Sequence, residues 1–130
     1  MKTILCIEDN PDNLKVIQLM VHRLRSDDRF ITARSAEEGL AIIEQHLPDL
    51  ILMDIELPGM NGFQALYQLK QQSHTHHIPV IAISAHAMLD AVNNGLAAGF
   101  ELYITKPIDM YKLKEHLNHY LSPTSLAQAG

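Results

Sequence analysis

Cysteine and long apolar runs are both scarce in this chain. Cys6 is the single cysteine among 130 residues, so no internal disulfide can form, and its place in the apolar run ILCI at 4–7 favours a buried, unreactive thiol. No stretch approaches the roughly 18 apolar residues of a membrane span. The first residues, MKTILCIEDN, reach acidic side chains where a signal peptide would still be apolar. We therefore expect a cytoplasmic protein that does not enter a membrane.

An excess of positive charge and a nucleotide cradle are also missing. The net charge of −5 argues against a nucleic-acid-binding surface. No GxxxxGK[ST] segment is present, so no loop of that kind can hold a nucleotide's phosphates. The 47% hydrophobic and 19% charged fractions are ordinary for a globular protein, and 130 residues suit one core. We predict one domain at 1–121, followed at 122–130 by a flexible tail or the start of a linker.

Short β-rich runs alternate with longer segments of helical period along the chain. The predicted strands are 3–7, 30–33, 50–53, 80–83 and 102–104. Polar side chains mark four helix starts, and a glycine closes the fourth helix; these residues are Asn10, Ser35, Asn61, Asp109 and Gly99. Strands that read as continuous apolar runs, separated by single helices, are typical of a parallel sheet covered on both faces. The pattern therefore predicts an α/β fold, a doubly wound (βα)5 sandwich with a five-stranded parallel sheet.

Each predicted helix carries an apolar stripe that we expect to face the core. The stripes are Leu14, Ile17, Val21 and Leu24; Leu40, Ile43 and Leu47; Phe63, Leu66, Tyr67 and Leu69; Met88, Leu89, Val92 and Leu96; and Met110, Leu113, Leu117 and Tyr120.

Polar side chains follow four of the five strands. Glu8 and Asp9 come after the first strand, Asp54 after the third, Ser84 after the fourth and Lys106 after the fifth. In an open α/β sheet, ligands bind outside the carboxyl ends of the strands where the strand order reverses. In the flavodoxin-like order 2-1-3-4-5 this point lies between the first and third strands. We therefore expect Asp9 and Asp54 to flank a binding crevice.

This set of side chains favours a magnesium site that takes a phosphoryl group. Three neighbouring carboxylates repel one another unless a cation lies among them, and carboxylate oxygens are typical ligands of Mg²⁺. Zinc and calcium fit this donor set less well. Lys106 can pair with a phosphoryl oxygen, and the Ser84 hydroxyl can donate to another. Because the chain lacks a nucleotide cradle, we expect the phosphoryl group to arrive on another molecule, with Asp54 as the nucleophile.

Four motifs carry a resemblance to a known family. They are IEDN at 7–10, LILMDIELPGMNG at 50–62, IAISA at 81–85 and YITKP at 103–107. In this order and at these separations the sequence resembles the CheY-like receiver domain of response regulators in two-component signal transduction, over roughly residues 2–121. The resemblance fits a single-domain receiver that signals by binding other proteins.

The resemblance implies roles for the residues at the strand ends. Asp54 would accept a phosphoryl group from a phosphohistidine of a sensor histidine kinase or a histidine phosphotransfer protein. Mg²⁺ would be held by Asp9, Asp54 and the backbone carbonyl of Glu56, with Glu8 reaching it through water. Lys106 would pair with the phosphoryl oxygens. Such a domain promotes only its own phosphorylation and dephosphorylation, so we do not expect an enzyme acting on a separate substrate.

The resemblance also implies a switch. Ser84 would be the switch hydroxyl and Tyr103 the switch aromatic, and the peptide bond between Lys106 and Pro107 would be cis. A phosphoryl group on Asp54 adds charge and acceptors that draw Ser84 towards the site. We expect Tyr103 to turn inward in response and to alter the face formed by the fourth helix, fifth strand and fifth helix, which binds partners. The alternative is that Tyr103 is only a half-buried strand aromatic.

Two further residues are candidates for setting the lifetime of the phosphoryl group. Glu56 lies two residues beyond Asp54, and His86 lies two beyond Ser84, which in the family are positions that border the attacking water. They either tune dephosphorylation or are solvated loop residues.

Two other functions remain open for the chain. A phosphatase of the haloacid dehalogenase type also combines a strand-end aspartate, a serine or threonine, and a lysine. Against it, the acid pair here precedes the nucleophile and no cap domain is present. A receiver-like module that binds partners without phosphorylation is the other alternative, and binding that persists in Asp54→Ala would favour it.

Overall fold

Five strands and five helices alternate along residues 1–121, which are the residues that the computed structural model describes. The predicted tail at 122–130 lies outside them. The elements are β1 (Thr3–Ile7), α1 (Pro11–Leu24), β2 (Arg29–Ala33), α2 (Ala36–Gln45), β3 (Leu50–Asp54), α3 (Gly62–Lys70), β4 (Val80–Ser84), α4 (Leu89–Ala98), β5 (Leu102–Thr105) and α5 (Met110–Leu121). The sheet is parallel throughout and has the order β2-β1-β3-β4-β5. The predicted fold class and strand order are confirmed.

A hydrophobic core lies on each face of the sheet. Apolar side chains of α2 and α3, such as Ile43 and Leu66, pack on one face, and those of α1 and α5, such as Ile17 and Leu117, pack on the other. Strands β3 and β4 are buried along their whole length. Cys6 is fully buried in the second core, and burial raises the pKa of its thiol, as expected for an unreactive cysteine.

Helix caps fix where the helices begin, and so where the loops beside the sheet edge lie. The Asn10 side chain accepts from the backbone N–H groups of Asp12 and Asn13. Asn61 and Gln64 form a full capping box at the start of α3. These caps satisfy backbone N–H groups that would otherwise lack partners, because the N–H groups of the first turn have no carbonyl acceptor within the helix.

The ladders of β3 and β4 run one residue further than predicted. Asp54 pairs with Ile83, and Ser84 pairs with Thr105, so these polar residues are the last residues of their strands. Their backbone groups continue the parallel ladder although their side chains are polar. Asp54 and Ser84 are therefore held by the sheet itself.

The prediction of a buried stripe is wrong for α4 and in part for α2 and α3. Met88 and Leu89 are 79% and 72% exposed, and Leu96 is 44% exposed. The buried residue of α4 is Gly95, since this helix meets the sheet through a glycine instead of large side chains. Leu47 lies beyond the end of α2, and Tyr67 points away from the core, at 51% and 67% exposure.

Within the described residues 1–121, no helix combines the length and apolar character needed to cross a bilayer.

Candidate functional site

The carboxyl ends of β1, β3, β4 and β5 bring the predicted polar residues to one edge of the sheet. Glu8 and Asp9 follow β1, and Asp54 ends the neighbouring strand β3. Ser84 ends β4, and Lys106 follows β5. Because parallel strands all end at the same edge, a polar residue at the end of each one contributes to a single site.

Three carboxylates meet between β1 and β3. Glu8, Asp9 and Asp54 each offer an oxygen, and these atoms all lie within 4.8 Å of one another. Glu8 and Asp54 are only 1% and 5% exposed. Burial and contact with the Asp54 carboxyl raise the pKa of Glu8 to about 7, although Lys106 and the Asn10 N–H act in the opposite direction. The site therefore carries negative charge that a cation would stabilise.

Lys106 supplies one positive charge to this cluster. Its Nζ lies 2.8 Å from Oε1 of Glu8 and 3.3 Å from Oδ2 of Asp54. Burial by itself lowers the pKa of Lys106, but the hydrogen bond to Glu8 and the charge of Asp54 outweigh it and raise that pKa. Lys106 therefore stays charged at neutral pH and faces the carboxylate predicted to be the nucleophile.

The donor set fits magnesium. Glu8, Asp9 and Asp54 present hard carboxylate oxygens at one place, and no sulfur or imidazole ligand lies among them. The backbone N–H of Glu56 donates to Oδ1 of Asp54 at 2.9 Å, which holds the start of the loop after β3 beside the acids. That loop carries the backbone carbonyl predicted to complete the metal site.

Ser84 is fully buried, and its hydroxyl makes two hydrogen bonds. Ser84 Oγ donates to Oε2 of Glu56 at 2.7 Å and accepts from the backbone N–H of His86 at 3.0 Å. The sequence placed Glu56 and His86 near the site, but not in contact with the serine. The spacing of two residues from Asp54 and from Ser84 is the signal that pointed to them.

Comparison with known proteins identifies this arrangement. Residues 4–118 match the family model of the response regulator receiver domain. The chain belongs to this family.

Relatives and solved structures agree with this assignment. The polar-differentiation response regulator DivK of Brucella ovis is 38% identical over 120 residues, which cover 92% of this chain and 96% of DivK. The receiver domain of the sensor histidine kinase PA1611 from Pseudomonas aeruginosa PAO1 is 30% identical with a TM-score of 0.84, and the match covers 94% of this chain and 98% of that one. That domain holds a magnesium ion in its active-site cleft. A receiver domain protein from Clostridium thermocellum is 26% identical with a TM-score of 0.83, covering 98% and 99% of the two chains.

The standard function of response regulator receiver domains is that of a phosphorylation switch in two-component signalling, and they interact with histidine kinases. They generally signal rather than catalyse, which disfavours the phosphatase alternative.

In this receiver domain Tyr103 contacts both α4 and the loop after β4. Its hydroxyl donates to the backbone carbonyl of His86 at 2.9 Å. A Cβ atom added to Gly95 would lie 2.7 Å from Cδ2 of the ring, so the ring packs where α4 has no side chain. Gly95 was absent from the sequence prediction, because a helical glycine carries no signal of the partner that it accommodates.

Two more features complete the site. The peptide bond between Lys106 and Pro107 is cis. Arg34, exposed at the end of β2, donates from Nη2 to the backbone carbonyl of Asp9 at 3.3 Å. Sequence reasoning did not single out Arg34, since an exposed arginine after an edge strand is common without any role at a site.

Proposed function

We propose that Asp54 is the phosphoryl acceptor of this receiver domain and that the donor is a phosphohistidine of a sensor histidine kinase or a histidine phosphotransfer protein. The observation that carries the proposal is the position of Asp54. The residue is 5% exposed, and its carboxylate lies beside Glu8 and Asp9, with one oxygen 3.3 Å from the charged Lys106 Nζ. Attack on phosphorus builds negative charge that a nearby cation stabilises, and Lys106 supplies that cation beside the Asp54 carboxylate.

In the transfer, an oxygen of Asp54 attacks phosphorus and a new O–P bond forms. The P–N bond of the donor breaks, and its electron pair returns to the imidazole ring. Lys106 is placed to pair with phosphoryl oxygens as charge builds on them, and the buried Ser84 hydroxyl is a further donor. The acids Glu8, Asp9 and Asp54, with the carbonyl of Glu56, would hold Mg²⁺. When bound, the ion neutralises charge between the acids and the phosphoryl group.

The proposed output is a change on the face formed by α4, β5 and α5, the α4–β5–α5 face. Tyr103 links the site to this face, because its ring lies against α4 and its hydroxyl bonds the loop that follows Ser84. Leu89, Leu96 and Tyr111 are 72%, 44% and 83% exposed on α4 and α5. These exposed apolar side chains are available for contact with a partner protein. We place the switch in the cytoplasm and its domain at 1–121, where α5 ends.

The test is intact mass spectrometry after incubation with Mg²⁺ and acetyl phosphate. One added phosphoryl group is expected on the wild type, and none on Asp54→Asn or on the wild type in EDTA. An adduct that persists in Asp54→Asn would contradict the proposal. No adduct on the wild type, even with a cognate kinase or with beryllofluoride as the analogue, would favour phosphorylation-independent binding.

Glu56 and His86 are further proposed to set the lifetime of the phosphoryl group. Both flank Ser84 in the structure, at the edge of the site that water can reach. The half-life of the acyl phosphate in Glu56→Asn and His86→Ala should differ from that of the wild type. Unchanged half-lives in both variants would show that they are only loop residues.

A further inference from the structure

The carboxylate of Glu56 accepts the hydrogen bond of the Ser84 hydroxyl, which the proposed function assigns to the phosphoryl group. Oε2 of Glu56 accepts from the Ser84 hydroxyl at 2.7 Å, and Oε1 lies 3.4 Å from the backbone nitrogen of Ala85. The Ser84 hydroxyl has a single hydrogen to donate. Glu56 and a phosphoryl oxygen therefore compete for that hydrogen.

The same contact begins a chain of hydrogen bonds that reaches Tyr103. Ser84 Oγ donates its hydrogen to Glu56 and accepts from the His86 N–H at 3.0 Å, so Glu56 holds the oxygen that the His86 N–H contacts. The carbonyl of His86 then accepts from the Tyr103 hydroxyl at 2.9 Å. The N–H and the carbonyl of His86 belong to adjacent peptide groups on either side of its Cα, so the link is one of position. A shift of the His86 backbone moves the acceptor of the Tyr103 hydroxyl.

The backbone of Glu56 is held by a hydrogen bond, whereas its side chain has room to move from Ser84 into solvent. Its N–H donates to Oδ1 of Asp54 at 2.9 Å, but the residue is exposed to solvent. A phosphoryl group on Asp54 adds a charge of about −1.5 to −2 close to this carboxylate. Repulsion then moves the Glu56 side chain into water, and Ser84 donates to the phosphoryl group.

We propose that Glu56 is a positioning residue that substitutes for the phosphoryl group on Ser84. It keeps Ser84, His86 and Tyr103 in place while Asp54 is free, and it gives up the serine when Asp54 is phosphorylated. The second step rests on the proposed role of Asp54; the first does not. Activation then includes the exchange of one anion for another on a loop that is already in position.

The first step is tested on the full chain without metal or phosphodonor. Tyrosines are replaced by 3-fluorotyrosine, and the Tyr103 signal in ¹⁹F NMR is assigned with Tyr103→Phe. In Glu56→Ala the Tyr103 signal should shift, and the His86 amide should exchange with solvent about tenfold faster. Glu56→Gln keeps an acceptor oxygen for Ser84 without the charge and should restore most of both values. An unchanged Tyr103 signal and His86 exchange rate in Glu56→Ala would overturn the proposal.

The second step is tested with Mg²⁺ and beryllofluoride as the phosphoryl analogue. The Tyr103 and His86 signals of wild type and Glu56→Ala should converge, because the analogue takes over Ser84 in both. Glu56→Gln should bind the analogue several-fold more tightly than the wild type, since the competing charge is gone. Two results would contradict the exchange. One is a difference between the wild-type and Glu56→Ala signals that persists with the analogue; the other is an equal affinity of the wild type and Glu56→Gln for the analogue. If the wild type fails to bind the analogue, both the proposed role of Asp54 and the exchange are wrong. The metal-free comparison still decides whether the first step is correct.

Discussion

Gly95 of α4 and Tyr103 of β5 are in direct contact, and the contact depends on the missing side chain of the glycine. A Cβ atom at residue 95 would lie 2.7 Å from Cδ2 and 3.1 Å from Cε2 of the tyrosine ring. Gly95 is the buried residue of α4, whereas Leu89 and Leu96 of the same helix are exposed. The position of the proposed switch aromatic is thus determined as much by the helix that receives it as by its own strand.

Gly95→Ala should displace the Tyr103 ring without unfolding the protein. The ring is at the end of a side chain that can rotate, and alanine improves the intrinsic helix propensity by about 1 kcal/mol. The midpoint of thermal unfolding should stay close to that of the wild type, while the ¹⁹F signal of Tyr103 shifts. Asn94→Ala, at an exposed position of the same helix, should leave that signal unchanged. A Tyr103 signal that is unchanged in Gly95→Ala would contradict this account.

Lys106→Met should destabilise the metal-free protein. Methionine keeps the apolar stem but leaves the buried carboxylates of Glu8 and Asp54 without the cation that lies 2.8 Å and 3.3 Å from them. Loss of one partner of a buried ion pair costs several kcal/mol, and the 22% exposure of the Lys106 side chain reduces this to about 1–3 kcal/mol. Urea unfolding in EDTA measures the difference.

The matched control is Lys112→Met, which removes an exposed charge from α5 and should change the free energy of unfolding by less than about 0.5 kcal/mol. Added Mg²⁺ should recover part of the loss in Lys106→Met, because it supplies positive charge to the same acids. Equal unfolding free energies for the two variants would show that Lys106 does not stabilise the site.

Much of this site could be predicted from the sequence because a parallel sheet turns chain order into position. Once five apolar runs are assigned to strands, the residues after them must share one edge, and this places Asp9, Asp54 and Lys106 together. The capping residues predicted the helix starts for a different reason, because a cap bonds N–H groups only two or three residues away. The carboxylate cluster follows from the strand order, whereas the family was indicated by the resemblance of the four motifs at 7–10, 50–62, 81–85 and 103–107.

The remaining features depend on contacts that no local pattern carries. Helical period predicted a buried stripe for α4, but the helix lies against Tyr103 through Gly95 and exposes Leu89 and Leu96 instead. The hydrogen bond from Ser84 to Glu56 joins residues 28 positions apart in the chain. Which side chain accepts the hydrogen bond of the Ser84 hydroxyl depends on how the loops after β3 and β4 lie against each other. This acceptor therefore cannot be predicted before the fold is known.

Glu8→Gln should stabilise the metal-free protein at about pH 8 and have little effect at about pH 4. Burial and Asp54 raise the pKa of Glu8 from 4.5 to about 7, so the folded protein binds an extra proton between these values. The free energy of unfolding of the wild type therefore falls as the pH rises through this window. Above it, the ionised Glu8 costs about 1 kcal/mol or more, a cost that glutamine does not carry.

Urea unfolding in EDTA across this pH range provides the measurement, with Glu115→Gln on the exposed side of α5 as the control. The control retains Glu8, so its free energy of unfolding should follow that of the wild type across the range. A stabilisation by Glu8→Gln that is the same at both ends of the range, or none at the upper end, would contradict the role of the buried carboxyl. Glu8→Gln should also bind Mg²⁺ more weakly than the wild type, since it removes one of the three acids.

Gly62→Ala should destabilise the fold and slow the phosphorylation of Asp54, because Gly62 packs against the backbone that carries this residue. A Cβ atom there would lie 2.9 Å from the carbonyl oxygen of Asp54 and 2.9 Å from Cα of Ile55. These are backbone atoms at the end of a buried strand, and the Gly62 N–H already donates to the carbonyl of Ile55 at 3.1 Å. Neither partner can rotate away, so the end of β3 must move, at a cost of about 2–3 kcal/mol.

Gly59→Ala distinguishes this packing effect from simple loss of a glycine. Gly59 adopts a φ of 71°, and an added Cβ would meet only the end of the Glu37 side chain, at 3.4 Å. The strain of a left-handed conformation costs about 1–2 kcal/mol but does not press on β3. Both variants should therefore lose stability in urea, and only Gly62→Ala should also accept phosphate from acetyl phosphate more slowly under conditions where it remains folded. If both variants are phosphorylated at the wild-type rate, Gly62 does not set the position of Asp54.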